Sequence, residues 1–181
     1  METNPNHIPV PEMFWSFETG EPMCNCRLCD AELVESGQAY LIEKAFKNGE
    51  TIFEHAICIP CYTRCQEELS IESRARIAAY FAEHADLEGR QQSMLDQLGT
   101  NHEKWLAHCI VKGYPIQECE EYQIYGFCAG GSLLFGGAPY MVSGEAIDEI
   151  LDLLSNETLG VLEELSHQLF GIDAPKGLLA I

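Results

Sequence analysis

The chain has 181 residues, of which 46% are hydrophobic and 22% charged, a composition typical of a globular protein with a buried core. Its 29 Asp and Glu residues outnumber 10 Lys and Arg residues, which gives a formal net charge of -19. This excess of acid repels the phosphate backbone of nucleic acids and anionic membranes, so we expect no direct binding to either. A well-solvated acidic surface is sufficient to explain this charge. A more specific hypothesis is that the acidic surface binds a protein partner with a basic surface.

The first residues and the cysteine count indicate a protein that keeps its thiols reduced. Residues 1–7 have no basic start, no apolar run follows them, and no stretch approaches the roughly 18 apolar residues of a membrane span. We therefore expect a cytoplasmic protein. It has nine cysteines, and without export C-x-x-C pairs are typical of metal ligands or redox thiols, not disulfides.

Residues 1–23 predict an extended N-terminal arm, because four prolines interrupt the segment and little periodicity is present. Three aromatic residues are unusual in a free terminus. We therefore expect Phe14, Trp15 and Phe17 to attach the arm to the folded body.

Residues 24–70 contain two C-x-x-C pairs on either side of a predicted β-hairpin. The pairs are Cys26-Arg27-Leu28-Cys29 and Cys58-Ile59-Pro60-Cys61. Between them, Asn48-Gly49 tolerates positive φ at both central positions of a type I′ turn and joins two strand-like segments. A helix is predicted to begin at Cys61.

Four thiolates in two C-x-x-C knuckles are the usual ligand set of a structural zinc ion. Zinc accepts four sulfurs tetrahedrally at roughly 2.3 Å, and a closed shell leaves no position for the water of a catalytic zinc. The sequence thus predicts one structural Zn²⁺ per chain. Its expected ligands are Cys26, Cys29, Cys58 and Cys61.

The order of knuckle, hairpin, knuckle and helix resembles the treble-clef zinc-finger fold, to which LIM and GATA-like fingers are related. The resemblance covers about residues 24–70. It implies the same four cysteines as ligands. It implies no particular function, because treble clefs serve DNA, RNA, protein and purely structural roles.

Three further residues leave alternatives open for the ligand set. Cys24 allows the register of the first knuckle to slip, and Cys65 lies one helical turn beyond Cys61 on the same side. His55, three residues before Cys58, offers a nitrogen ligand. Six thiols could also hold an iron–sulfur cluster or two metals, although the usual cluster spacings are absent.

The rest of the chain predicts a helical segment, residues 71–113, and a C-terminal αβ region, residues 114–181. Within the second, strand-like segments flank the loop signal Gly136-Gly137-Ala138-Pro139, and two capped helices follow. We expect the apolar stripe of these helices to be buried inside the chain or against a second copy in a homodimer. The stripe consists of Ile147, Ile150, Leu151, Leu154, Leu159, Leu162 and Leu165.

Two segments of residues 102–131 resemble degenerate knuckles. In Cys109-Ile110-Val111-Lys112 a lysine stands in the place of the second cysteine, and Phe127-Cys128-Ala129-Gly130-Gly131 ends in glycine. They suggest a second module that has lost its metal, although two unrelated buried cysteines explain the pattern equally well. A working second site would draw on residues whose spacings match no familiar pattern: His102, His108, Cys109, Cys119 and Cys128.

The fold class is therefore α+β, and the expected function is that of a zinc-stabilised adaptor acting through protein–protein contacts, since no catalytic motif is present. One alternative is a redox sensor, metal sensor or enzyme that uses Cys65 or Cys128, which would need a depressed pKa and a nearby base. Another is a transcription-associated factor acting through protein contacts. Its small basic patch would consist of Arg64, Arg74 and Arg76.

We predict that the protein does not bind duplex DNA at physiological salt, because its net charge of -19 and lack of a dense basic stripe oppose phosphate binding. Specific DNA-binding proteins reach dissociation constants of about 10⁻⁸–10⁻¹¹ M under these conditions. Fluorescence anisotropy with labelled duplexes is expected to show no binding up to micromolar protein. Micromolar or tighter binding in that salt would overturn the charge argument.

Overall fold

Residues 6–171, the part of the chain that the computed structural model describes, contain a six-stranded antiparallel sheet and six α-helices. The strands are β1 (His7–Pro9), β2 (Ala39–Lys47), β3 (Glu50–Cys58), β4 (Glu121–Ala129), β5 (Ser132–Leu134) and β6 (Tyr140–Ser143). The helices are α1 (Ile59–Glu68), α2 (Ile71–His84), α3 (Leu87–Leu98), α4 (His102–Trp105), α5 (Gly144–Asp152) and α6 (Asn156–Phe170). This combination confirms the expected mixture of α and β structure. Within residues 6–171, no helix has both the length and the apolar composition needed to cross a membrane.

The strands β2 and β4 form the middle of the sheet. On one side β2 pairs with β3 in the predicted hairpin, and on the other it pairs with β4 along its whole length. The far edge of β4 carries β6 and β5, and β1 pairs with β5. The hairpin turn has φ of 52° at Asn48 and 81° at Gly49, the two positive values that the sequence predicted.

The strands β2, β3 and β4 bury polar side chains as well as apolar ones. Nε2 of His55 lies 3.3 Å from Oε2 of Glu43, and both side chains are fully buried. The hydroxyl of Tyr125 donates to Gln123 at 2.5 Å and lies 3.5 Å from Oε1 of Glu43. Burial and the nearby carboxylate of Glu43 raise the pKa of Tyr125, which keeps the phenol protonated as a donor. Since the side chains of Glu43 and His55 are both removed from water, replacing either one would leave the other as an uncompensated polar group in the core.

The N-terminal arm is attached by two of the three expected aromatic residues. Phe14 is fully buried and packs where a side chain at Gly126 would otherwise lie, and Trp15 is half-buried. The expectation for Phe17 is wrong, because its side chain is 75% exposed. Its backbone N–H is held by the carboxylate of Glu54 at 2.8 and 2.9 Å, so the loop is fixed through the main chain and the ring points outward.

The two C-terminal helices begin at the predicted serine caps and bury most of the predicted stripe inside the chain. The hydroxyls of Ser143 and Ser155 accept hydrogen bonds from the N–H three residues later, at 3.4 and 3.2 Å. Leu151 and Leu162 are half-buried, and Leu159 is exposed over 38% of its surface. The buried side of α6 passes through Thr158, Leu165 and Leu169, and Leu159 lies one residue, about 100°, away from that line.

We predict that Ile150→Ala destabilises the protein by about 2–5 kcal/mol, because the side chain is fully buried between α5 and the sheet. The matched variant Leu159→Ala removes a similar side chain from the exposed side of α6 and should cost no more than about 0.5 kcal/mol. Urea unfolding followed by circular dichroism measures both. Equal losses would mean that the buried faces of these helices are wrongly assigned.

Candidate metal centre

The four predicted cysteines lie together in the structure. One ligand atom from each of Cys26, Cys29, Cys58 and Cys61 lies within 4.8 Å of every other, and all but Cys29 are buried. Sγ of Cys29 is 3.7 Å from Sγ of Cys58. A zinc–sulfur tetrahedron with bonds of about 2.3 Å has edges of about 3.8 Å, so this spacing suits the ion. Among residues 6–171, no other group of His, Cys, Asp or Glu side chains converges in this way.

The first knuckle is a tight turn closed by backbone hydrogen bonds. The N–H of Cys26 donates to the carbonyl of Ala31 at 2.8 Å, and the N–H of Asp30 donates back to the carbonyl of Cys26 at 2.9 Å. Asp30 has φ of 61°, a left-handed conformation that Asp tolerates better than most residues. This reversal brings Cys29 back towards Cys26.

The second knuckle lies where β3 ends and α1 begins. Cys58 is the N-cap residue of α1, with φ of -64° and ψ of 151°, and Pro60 lies in the first turn, where its missing N–H costs nothing. Cys61 follows on the same turn. The N–H of Cys58 donates to Sγ of Cys26 at 3.4 Å, which ties the two knuckles together. Peptide N–H groups at a helix start favour negative charge, here that of thiolates.

The thiols differ in how readily they ionise. Burial opposes ionisation of Cys26, but the N–H groups of Cys58, Cys29 and Leu28 outweigh it and lower its pKa to about 7. Burial and the neighbouring thiols of Cys58 and Cys29 raise the pKa of Cys61. A bound dication favours all four thiolates and displaces their protons, so metal affinity falls as the pH falls.

None of the three alternative ligands joins the cluster. The thiol of Cys24 is exposed and lies 3.3 Å from the carbonyl oxygen of Pro22. Cys65 is buried further along α1, outside the converging group. The ring of His55 is paired with Glu43 and lies against Phe170, with ring centroids 5.7 Å apart.

The cysteines of residues 102–131 do not assemble with histidines into a second metal-binding group. Cys128 is not part of a knuckle, because it lies inside β4 opposite Tyr40, and burial raises its pKa to about 12. Cys109 does begin a tight turn, and Sγ of Cys109 accepts a hydrogen bond from the N–H of Lys112 at 3.4 Å.

Two arginines around the cluster were not assigned to it from the sequence. Nη2 of Arg64 lies 3.7 Å from Sγ of Cys61, where its charge offsets that of a thiolate. Nε of Arg27, inside the first knuckle, donates to the carbonyl of Leu169 on α6 at 2.9 Å. A partner 142 residues away leaves no signal in local spacing.

Comparison with protein-family models gives no match, and no curated protein or solved structure is significantly similar to the chain. The resemblance to treble-clef fingers therefore rests on the order of knuckle, hairpin, knuckle and helix alone. What the site does has to be argued from its own chemistry.

We predict that Cys61→Ser abolishes stoichiometric zinc binding, because it removes one of four converging donors. Cys65→Ser changes the same atom one turn further along α1 and should keep the metal, as should Cys24→Ser. Elemental analysis of protein purified without chelators measures the ratio of metal to chain. Loss of zinc from Cys24→Ser together with retention in Cys26→Ser would show that the ligand register is wrong.

Proposed function

We propose that the protein is a zinc-stabilised module that binds other proteins, with one structural Zn²⁺ held by Cys26, Cys29, Cys58 and Cys61. The observation that carries this proposal is the convergence of four sulfurs within 4.8 Å, three of them on buried residues. Four protein ligands complete the shell of zinc and leave no position for a substrate or a water molecule. The ion would supply stability rather than chemistry.

The metal has a clear structural task in this fold. Residues 15–38, which carry the first knuckle, contain no helix and no strand of the sheet. Such a segment makes few regular backbone hydrogen bonds, so its position depends on anchors. The ion would join it to the start of α1, and structural zinc supplies an apparent free energy of about 10–16 kcal/mol in zinc-finger peptides.

The surface around Phe17 has the properties of a contact site for a partner. The exposed ring lies beside a groove lined by Met13, Phe46 and Tyr122. Because the backbone of Phe17 is already fixed, an aromatic anchor there would lose little entropy on binding. Exposed acids lie along the same segment and the hairpin turn: Glu12, Glu18, Glu21 and Glu50. The partner that fits best presents an apolar side chain flanked by Lys or Arg.

The alternative functions have less support. Burial raises the pKa of both Cys65 and Cys128, which is the opposite of what a reactive thiol requires. The suggested basic patch is dispersed, since Arg64 lies against Sγ of Cys61 and Arg76 pairs with Glu72. Free thiols of this kind persist in a reducing compartment, which is consistent with a cytoplasmic protein.

A photo-reactive amino acid at position 17 would test the proposal in an extract of the native cell, where the salt concentration can be varied. We predict a discrete protein adduct from position 17 that weakens as salt is raised, because a basic partner is attracted electrostatically. Position 71 is the matched control, since Ile71 is 78% exposed and Phe17 75%. No adduct at position 17, or the same adducts from both positions, would contradict a specific contact there.

A further inference from the structure

We infer that residues 109–152 are a second copy of the module in residues 26–68, and that an ion pair of Lys112 takes the place of the zinc ion. The equivalence rests on backbone hydrogen bonds, strand pairing and ligand positions. In both segments the knuckle turn, the first strand, the returning strand or strands and the helix follow one another in the same order along the chain.

The two knuckle turns, residues 26–31 and 109–114, have the same hydrogen bonds. In both, the N–H of the first residue donates to the carbonyl of the sixth at 2.8 Å. The N–H of the fifth residue donates to the carbonyl of the first, at 2.9 and 2.8 Å. The fifth residues, Asp30 and Gly113, both have positive φ, 61° and 71°. A lysine at the fourth position of the second turn therefore occupies the place of Cys29.

The junctions of strand and helix match in the same way. The N–H of Cys58 donates to Sγ of Cys26 at 3.4 Å, and the N–H of Ser143 donates to Sγ of Cys109 at 3.2 Å. Both donors are N-cap residues, with φ and ψ of -64° and 151° before α1 and -70° and 154° before α5. In both copies the next knuckle residue donates to the carbonyl two residues before the N-cap, at 2.9 Å.

The strands that follow the knuckles are related by a local twofold axis. β2 and β4 have nine residues each, and the register joins the first residue of each strand to the last of the other. The fifth residues, Glu43 and Tyr125, therefore pair with each other. Equivalent strands that pair through their own midpoints are arranged like two subunits of a symmetric dimer. Their outer edges carry equivalent partners, β3 on one side and β5 with β6 on the other.

The second copy retains one of the four donors. Its ligand positions are Cys109, Lys112, Ser143 and Ala146. The ammonium group of Lys112 forms an ion pair with Glu149 and lies 3.5 Å from the carboxylate of Glu145. Both glutamates are on α5, the equivalent of α1, so a cation fixed to the chain connects knuckle and helix where the first copy would use a metal ion.

Restoring the cysteines tests this inference directly. The triple variant Lys112→Cys, Ser143→Cys and Ala146→Cys is expected to raise the zinc content from one to two ions per chain. Cobalt loading should double the thiolate absorption that is typical of tetrahedral sites. The matched control carries Val111→Cys in place of Lys112→Cys, with the other two changes unchanged. It adds the same number of thiols in the wrong register and should stay at one ion.

Three results would overturn the inference: one ion per chain in the folded triple variant, failure of that variant to fold with excess zinc, or a second ion in the control. A second variant, Lys112→Met, tests the ion pair without new thiols. It should lower the urea midpoint while the zinc content stays unchanged. An unchanged midpoint would mean that Lys112 does not connect the knuckle to α5.

Discussion

The antiparallel pairing of β2 with β4 is the contact on which the rest of the structure depends. It runs over nine residue pairs and joins the part of the chain before α2 to the part after α4. The central side chains of both strands are buried on both faces of the sheet, so Glu43 of β2 has no access to water and pairs with His55 of β3. Cys58, the first cysteine of the second knuckle, is the last residue of β3, so the sheet sets the position of that knuckle in the cysteine cluster.

A knuckle is a poor folding unit by itself, since a turn of six residues buries little apolar surface. It has to be fastened to a helix start by something stronger than packing. In the first half of the chain the converging thiols suit a dication, and in the second half Lys112 is fastened by carboxylates. Both arrangements place positive charge between a turn and the helix that follows its hairpin. In both halves a turn has to be attached to the start of a helix. The thiols of the first half suit a metal ion for this purpose, and the second half uses the ammonium group of Lys112.

The parts of the fold that follow from local rules could be predicted from the sequence. The turn at Asn48-Gly49 and the caps at Ser143 and Ser155 depend on residues close together in the chain. The two cysteine pairs are separated by 32 residues, but the C-x-x-C spacing of each pair is local and marks both as ligands of one ion. The exposure of Phe17 could not be predicted, because it is set by Glu54, 37 residues away. The carboxylate partner of Lys112 lies at the same separation, 37 residues, and only the folded sheet brings them together.

The N-terminal arm has a consequence for the sheet as a whole. β1 pairs with β5, Phe14 packs beside Gly126 of β4, the carbonyl of Trp15 accepts from Lys44 of β2, and Glu54 of β3 holds Phe17. In the space of eleven residues the arm therefore crosses the strands in their spatial order, from one edge to the other. The arm therefore connects the two edges of the sheet to each other as well as to the middle strands. Cleavage of the chain within the arm would weaken the attachment of both edge strands at the same time.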